Sequence, residues 1–274
     1  MLKKRLITVA IILPPVILMV WFSAVTSAVL AVIWGFMSAY EFYHNINRDK
    51  VTPLTAFGLI MTVLFIIHPL LNFSQFLPLL LSASVIVPLV WLLLQKDKEN
   101  AFARWSWTIA GAIYIGWLLS YLVALRAGYN LPALDEAAAR NWTFYALAIT
   151  ILSDSMAYFV GRKFGKHAFA PQVSPGKTWE GTFGGFLGAI LSSLFFTLPT
   201  PLGLTTGYEH IILLGIAASI AGQTGDLIKS LFKRNMGIKD SSNLLPGHGG
   251  FLDRLDSPLF AGVVIYYYVM LFYR

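Results

Sequence analysis

Long apolar runs separated by short polar stretches organise this chain. Nine runs are predicted to be membrane-spanning helices, at about 5–21, 23–41, 54–71, 76–94, 105–125, 142–160, 182–199, 209–228 and 257–273. Several hold roughly 18–22 residues without a charge, the length that crosses about 30 Å of hydrocarbon. Backbone groups find no water partner in hydrocarbon, so such runs form helices. The alternation of apolar and polar residues that marks barrel strands is missing from them. The expected fold class is therefore an all-α polytopic integral membrane protein of about nine transmembrane helices. Pro14, Pro15, Pro69, Pro78 and Pro88 fall in or near the runs, where membrane helices tolerate them as kinks. A cleaved signal ending near Thr26-Ser27-Ala28 is the other reading of the N-terminus. The apolar pattern continues to Tyr40, which favours two spans with a tight turn near Trp21–Ser23.

Composition agrees. The 274 residues are 57% apolar and 12% charged, with a mean hydropathy of +0.69; soluble domains carry about 25% charged residues. There are no cysteines, which excludes disulfides, thiolate catalysis and Cys-ligated metals. The net charge of +7 suggests nucleic acid at first sight. In a membrane chain the basic residues instead set topology and meet anionic lipid, so membrane lipids are expected partners and nucleic acid is not. With the N-terminus cytoplasmic, 17 of the 20 Lys and Arg fall inside, and Arg126, Arg140 and Arg274 fall outside. That bias is what the positive-inside rule predicts, and it puts the C-terminus outside. No repeat stands out. Residues 1–140 read as a scaffold of five spans. Residues 141–274 read as the catalytic half, with two polar cytoplasmic loops at 161–181 and 229–256.

Four constellations carry candidate chemistry. Asp226 lies in Ala-Gly-Gln-Thr-Gly-Asp-Leu-Ile-Lys at the end of the eighth span. A carboxylate there needs a partner: either Lys229, one turn on, or a metal ion. Asp253 and Asp256 are three apart, so on a helix they share a face and repel unless a cation intervenes. The plainer reading is acidic charge at a helix N-terminus. Together with Asp226 they make a plausible oxygen site for Mg²⁺. Pro246-Gly247-His248-Gly249-Gly250, just before them, suits close backbone approach to a phosphate. Lys229, Lys233, Arg234 and Lys239, with Lys177 in Ser174-Pro175-Gly176-Lys177-Thr178, are either topology charges or a polyphosphate-binding set. The full GxxxxGK[ST] pattern is absent, since Pro171 stands at its first position, so a P-loop is rejected. Asp154, in Ser153-Asp154-Ser155-Met156-Ala157-Tyr158, sits inside the sixth span and is either functional or a structural hydrogen-bonding group. His44, His68, His167 and His210 lack ligand spacing and read as interfacial.

Residues Ser230–Arg234, Lys239-Asp240-Ser241 and Leu245-Pro-Gly-His248-Gly249-Gly250-Phe-Leu-Asp253-Arg-Leu-Asp256 closely resemble the signature of the phosphatidate cytidylyltransferase (CDP-diacylglycerol synthase) family. Asp154–Tyr158 and Ser174–Gly181 look like that family's upstream motifs. The similarity is concentrated in residues 150–258. The resemblance implies transfer of the cytidylyl group of CTP to phosphatidate, giving CDP-diacylglycerol and pyrophosphate, in a cytoplasmic (inner) membrane with the site facing the cytoplasm. It implies Asp226 and Asp253 as Mg²⁺ ligands, suggests a second cation such as K⁺, and places Asp256 beside them. Lys177, Lys239 and His248 would contact phosphates, and Lys233 and Arg234 would attract the lipid head group. Asp154, Ser174, Gly176, Asp240, Gly249 and Gly250 complete the implied substrate-binding set. A homodimer is also implied. Two rivals remain: a CTP-dependent kinase of a polyprenol or phytol, and an ion-coupled transporter using Asp154 and Asp226.

Overall fold

The computed structural model describes residues 2–46, 51–71, 73, 75–242, 244, 245 and 249–273. Its helices follow the apolar runs. They are α1 (Leu2–Phe22), α2 (Ala24–Ile46), α3 (Thr55–Ile67), α4 (Phe76–Leu94), α5 (Ala101–Gly111), α6 (Leu118–Ala127), α7 (Glu136–Phe164), α8 (Trp179–Phe196), α9 (Tyr208–Asn235) and α10 (Asp256–Phe272). A π-helical segment, Ala112–Trp117, joins α5 to α6 in one helical body. Among the described residues, five bodies are long and apolar enough to cross a membrane: α2, α4, α5 to α6, α7 and α9. Parts of α1, α3 with its 3₁₀ extension, and α10 are shorter apolar helices. Many of their large side chains face outward, among them Phe22, Leu94, Phe159, Leu213 and Phe272, as a lipid-facing surface requires.

The expected turn between the first two helices falls at Ser23. The Ser23 hydroxyl accepts from the Thr26 N–H and the Thr26 hydroxyl from the Ser23 N–H, both at 3.1 Å. This reciprocal pair caps α2 as a capping box does.

Two segments differ from the loops expected at 161–181 and 229–256. The first contains an antiparallel hairpin of β1 (Ala168–Ala170) and β2 (Ser174–Thr178). Its strands are too short for a period-two pattern to show in sequence. In the second, α9 runs on to Asn235, so Lys229, Lys233 and Arg234 are helical. Lysine and arginine are good helix formers, and in a last turn they complement the macrodipole. The helix ends where Gly237 takes a left-handed φ of 64°, which glycine adopts without strain.

The chain divides into two compact units. One comprises Met1–Val123 and Met236–Leu255. Its core packs Met61, Phe65, Leu80 and Ala112 with partly buried Phe57, Leu64, Phe76 and Trp117. Tyr43 is fully buried there and donates to the Thr108 carbonyl at 2.7 Å. Its ring fills the space that a Cβ at Gly58 or Gly111 would need. The other unit comprises Ala124–Asn235 and Asp256–Arg274. Here Gly181, Gly184 and Gly188 on α8 let its backbone approach Ala157, Met156 and Leu152 of α7. Small residues at this spacing bring membrane helices together. The Tyr145 hydroxyl joins Ser193 at 3.1 Å and donates to the Ile211 carbonyl at 2.8 Å, linking α7, α8 and α9.

Candidate active site

Within the second unit, α9, α10 and the hairpin bring four ionisable side chains into one chain of contacts. Lys177 on β2 lies 2.6 Å from Asp226, Lys229 lies 2.9 Å from the other oxygen of Asp226, and Lys229 also lies 2.5 Å from Asp256. Lys177 and Asp226 keep 23% and 31% of their side-chain surface, while Lys229 and Asp256 keep 9% and 6%. Lys229 and Asp256 are thus the more buried of these side chains, and Lys177 and Asp226 the more open. Lys177 also donates to the Gln223 carbonyl at 3.2 Å. Gln223 donates to Ser219, which meets Ser153 at 2.7 Å. Asp154, one residue on, is exposed and within electrostatic range of Asp226, Lys229 and Lys177. Three carboxylates against two ammonium groups leave a formal charge of −1 among these five side chains. Carboxylate oxygens are the hard donors that Mg²⁺ prefers, and among the described residues no three acidic or histidine side chains converge on one metal position. Gly225 sits so close to the Asp256 carbonyl that a side chain there has no room.

Lys177 is aimed by its neighbours. Thr178 caps α8, its hydroxyl accepting from the Gly181 N–H at 3.1 Å. Glu180, in the first turn of α8, accepts from the N–H groups of Lys166 and His167 and meets the His167 ring at 2.6 Å. Its own backbone N–H first, then the His167 side chain, hold its carboxyl down at about 2. The clasp ties the end of α7 to the start of α8, with the hairpin between them. Ser174 is half-buried on β2, Gly176 is exposed, and nothing stands within 4 Å of a Cβ added at Gly176. The Arg234 guanidinium donates to the Val173 carbonyl at 3.3 Å, and Lys233 is half-buried.

Within the first unit the loop ahead of α10 is built around two buried carboxylates. Asp253, in the 3₁₀ turn Leu252–Arg254, accepts on one oxygen from the Ser241 N–H at 2.9 Å and the Gly250 N–H at 3.1 Å. Glu41 of α2 accepts from the N–H groups of Phe251 at 3.0 Å and Leu252 at 2.9 Å, and from the Ser242 hydroxyl at 2.6 Å. The Ser241 hydroxyl lies 2.8 Å from Glu41 and 2.9 Å from Asp253. Gly249 has a φ of 79°, and both it and Gly250 lie where a side chain would strike these carboxylates. Lys239 and Asp240 are exposed. His248 lies outside the described residues.

Asp253 and Asp256 do not share a helix face as their spacing suggested. One sits in a 3₁₀ turn and the other starts α10, and their charges are met by backbone N–H groups and by Lys229 respectively. Glu41 escaped the sequence reading, and so did the contact of Lys229 with Asp256; its pairing with Asp226 was one of the two readings offered. The only cue for Glu41 was a lone acidic residue inside an aromatic stretch, Tyr40-Glu41-Phe42-Tyr43, with no Lys or Arg within a turn.

Comparison with known proteins adds a family context. The sequence profile of the cytidylyltransferase family matches residues 3–272. The chain is similar to the phosphatidate cytidylyltransferase of Bacillus subtilis (strain 168), 37% identical over 189 residues, covering 69% of this chain and 66% of that protein. It is similar to phosphatidate cytidylyltransferase 5, chloroplastic, of Arabidopsis thaliana, 31% identical over 270 residues, covering 90% and 65%. It is also similar to the phosphatidate cytidylyltransferase of Pseudomonas aeruginosa PAO1, 34% identical over 280 aligned residues, covering 96% and 97%. The match thus spans slightly under two thirds of the first two relatives and nearly all of the third.

Proposed function

This chain belongs to the cytidylyltransferase family, and from that membership we propose that it transfers the cytidylyl group of CTP to phosphatidate, forming CDP-diacylglycerol and releasing pyrophosphate. The observation that carries the reading is the Lys177–Asp226–Lys229–Asp256 chain, with its open end at Lys177 and Asp226. An oxygen of the phosphatidate phosphate attacks the α-phosphorus of CTP; a new P–O bond forms as the bond to pyrophosphate breaks. No protein nucleophile is needed, so catalysis is positioning and charge neutralisation. Lys177 exchanges its contact with Asp226 for a phosphate oxygen. Lys229 stays between Asp226 and Asp256 and keeps both carboxylates oriented. Asp226 in its cluster and Asp253 in the loop cluster are the proposed Mg²⁺ ligands, and a second cation such as K⁺ is part of the proposal. Mg²⁺, when bound, supplies neutralisation of charge on the triphosphate. Lys239 and His248 are proposed phosphate contacts, and Lys233 and Arg234 the attraction for the anionic head group.

The proposal extends to placement. We take the chain to cross a bacterial-type inner membrane nine times with the N-terminus cytoplasmic, to act as a homodimer, and to use residues 1–140 as scaffold and 141–274 as the catalytic half. Both polar segments then lie where CTP is available, and the lipid phosphate reaches them laterally.

The test is an assay in detergent with CTP, phosphatidate and Mg²⁺. Label at the α-phosphate of CTP is expected in the lipid product, label at the γ-phosphate in pyrophosphate, and chelation of Mg²⁺ is expected to stop turnover. Transfer of γ-label to a lipid would mean a lipid kinase and would overturn the reading.

A further inference from the structure

We propose that Glu41 is a positioning residue for the proposed reaction: a buried carboxylate on α2 that fixes the base of the loop carrying Asp253. The inference deepens the cytidylyl-transfer reading and rests on it. Four residues place side chains on one face of α2, at 34, 38, 41 and 45, the i, i+4, i+7, i+11 spacing of a helix. Three of them grip the stretch 241–252. The Trp34 indole N–H donates to the Phe251 carbonyl at 3.2 Å and its ring meets that of Phe251 edge-on at 5.1 Å. The Asn45 amide donates to the Ser241 carbonyl at 2.9 Å. Glu41, 2% exposed, gathers donors from both ends of the stretch: the hydroxyls of Ser241 and Ser242, and the N–H groups of Phe251 and Leu252.

The arrangement sets where Asp253 points. The Ser241 hydroxyl has one proton and stands between two carboxylates, so it donates to one at a time. Asp253 already takes the N–H groups of Ser241 and Gly250 on the same oxygen. Giving the hydroxyl proton to Glu41 locks Ser241, and through its N–H locks Asp253. Gly250 is packed against Ser241 and Glu41 so closely that a Cβ there would collide with both. Glu41 thus acts through Ser241, Phe251 and Leu252 on the Asp253 carboxylate and touches no substrate itself. Misplacing a catalytic group by a fraction of a bond length is costly in rate.

The test compares the wild type with Glu41→Gln, Glu41→Asp and Ser242→Ala in the CTP and phosphatidate assay, with thermal unfolding measured in the same detergent. An amide at 41 replaces one acceptor oxygen with an NH₂ donor facing other donors, and removes the charge that strengthens each bond. Glu41→Gln is expected to lower kcat about tenfold or more. It should leave the KM for CTP within about threefold, because the Lys177 cluster is untouched, and should raise the half-saturating Mg²⁺ concentration. Glu41→Asp, which keeps the carboxylate, is expected to recover part of kcat. A merely structural role would lower the unfolding midpoint without moving the Mg²⁺ requirement or splitting kcat from KM. Folded Glu41→Gln with wild-type kcat and Mg²⁺ dependence overturns the inference. Should that variant fail to fold, Ser242→Ala decides: a fall in kcat of about threefold at an unchanged midpoint supports it, and unchanged kcat overturns it. A wild type that makes no CDP-diacylglycerol defeats the cytidylyl-transfer reading and this inference with it, whereas an active wild type with unaffected variants defeats this inference alone.

Discussion

Lys229 shows what a single side chain holds in place. It keeps only 9% of its side-chain surface and bridges Asp226 and Asp256. Removing one partner of a buried ion pair leaves an uncompensated charge and costs about 3–5 kcal/mol. Lys229→Met is therefore expected to lower the unfolding midpoint in detergent sharply. Adding Asp256→Asn removes the stranded charge and is expected to restore part of the loss, so the two changes couple; simple additivity would disprove the bridge. Asp253→Asn is expected to abolish turnover while the protein stays folded, because an amide still accepts from Ser241 or Gly250. Near-normal activity would refute Asp253 as a metal ligand. These residues differ in how legible they were. Asp226, Lys177, Asp253 and Asp256 stand out because charges beside glycines interrupt apolar sequence. Glu41 does not, because its partners Ser241 and Ser242 lie 200 and 201 positions away, and a lone acid at a span end looks like interfacial charge.

At the scale of elements, apolar periodicity located the helices but not what lies between them. Hydropathy cannot see that Lys229 to Asn235 continue α9: Lys229 is buried through its contacts with Asp226 and Asp256, and the more exposed residues after it stay helical by propensity. Nor does it reveal a hairpin held by the Glu180 clasp. That clasp has a pH signature. The Glu180 carboxyl, ordinarily near 4.5, is held at about 2 in the fold. A group depressed on folding contributes stability that is complete above its unfolded value and is lost as pH falls through its folded one. Protection of the Lys166 and His167 amides, corrected for intrinsic exchange, is expected to hold down to about pH 4.5 and fade toward 2. In Glu180→Gln that dependence should vanish. The α7–α8 contact is as specific. A Cβ at Gly184 would stand 2.6 Å from the Val160 Cβ and 2.9 Å from the Met156 carbonyl. Gly184→Val is expected to cost about 1–3 kcal/mol by overpacking, seen as a lower unfolding midpoint. Gly176→Ala, with nothing within 4 Å, should leave the midpoint unchanged. Equal effects at both positions would refute the close packing.

For the proposed reaction the whole molecule has to join a water-soluble nucleotide to a membrane-bound acid, so which side the polar segments face decides whether it can work. Among the described residues five helical bodies are long and apolar enough to cross, while an orientation follows only from charge. Of 20 Lys and Arg, 17 fall on one side when nine crossings are assumed. Any count that changes the parity between residues 161–181 and 229–256 would put one of the two polar segments, with its lysines, outside. Translocating such basic segments opposes the bias that sets topology. Nine crossings, as proposed, would also separate the termini. A reporter that works only in the cytoplasm is therefore expected to be active when fused at position 166 or 239 and silent at the C-terminus, while one that works only outside shows the reverse. Cytoplasmic activity at the C-terminus would remove a crossing after 239 and break the topology. Silence at 166 alone would do more damage, because it would take Lys177 away from the side where CTP is found and leave the Lys177–Asp226 contact without its proposed substrate.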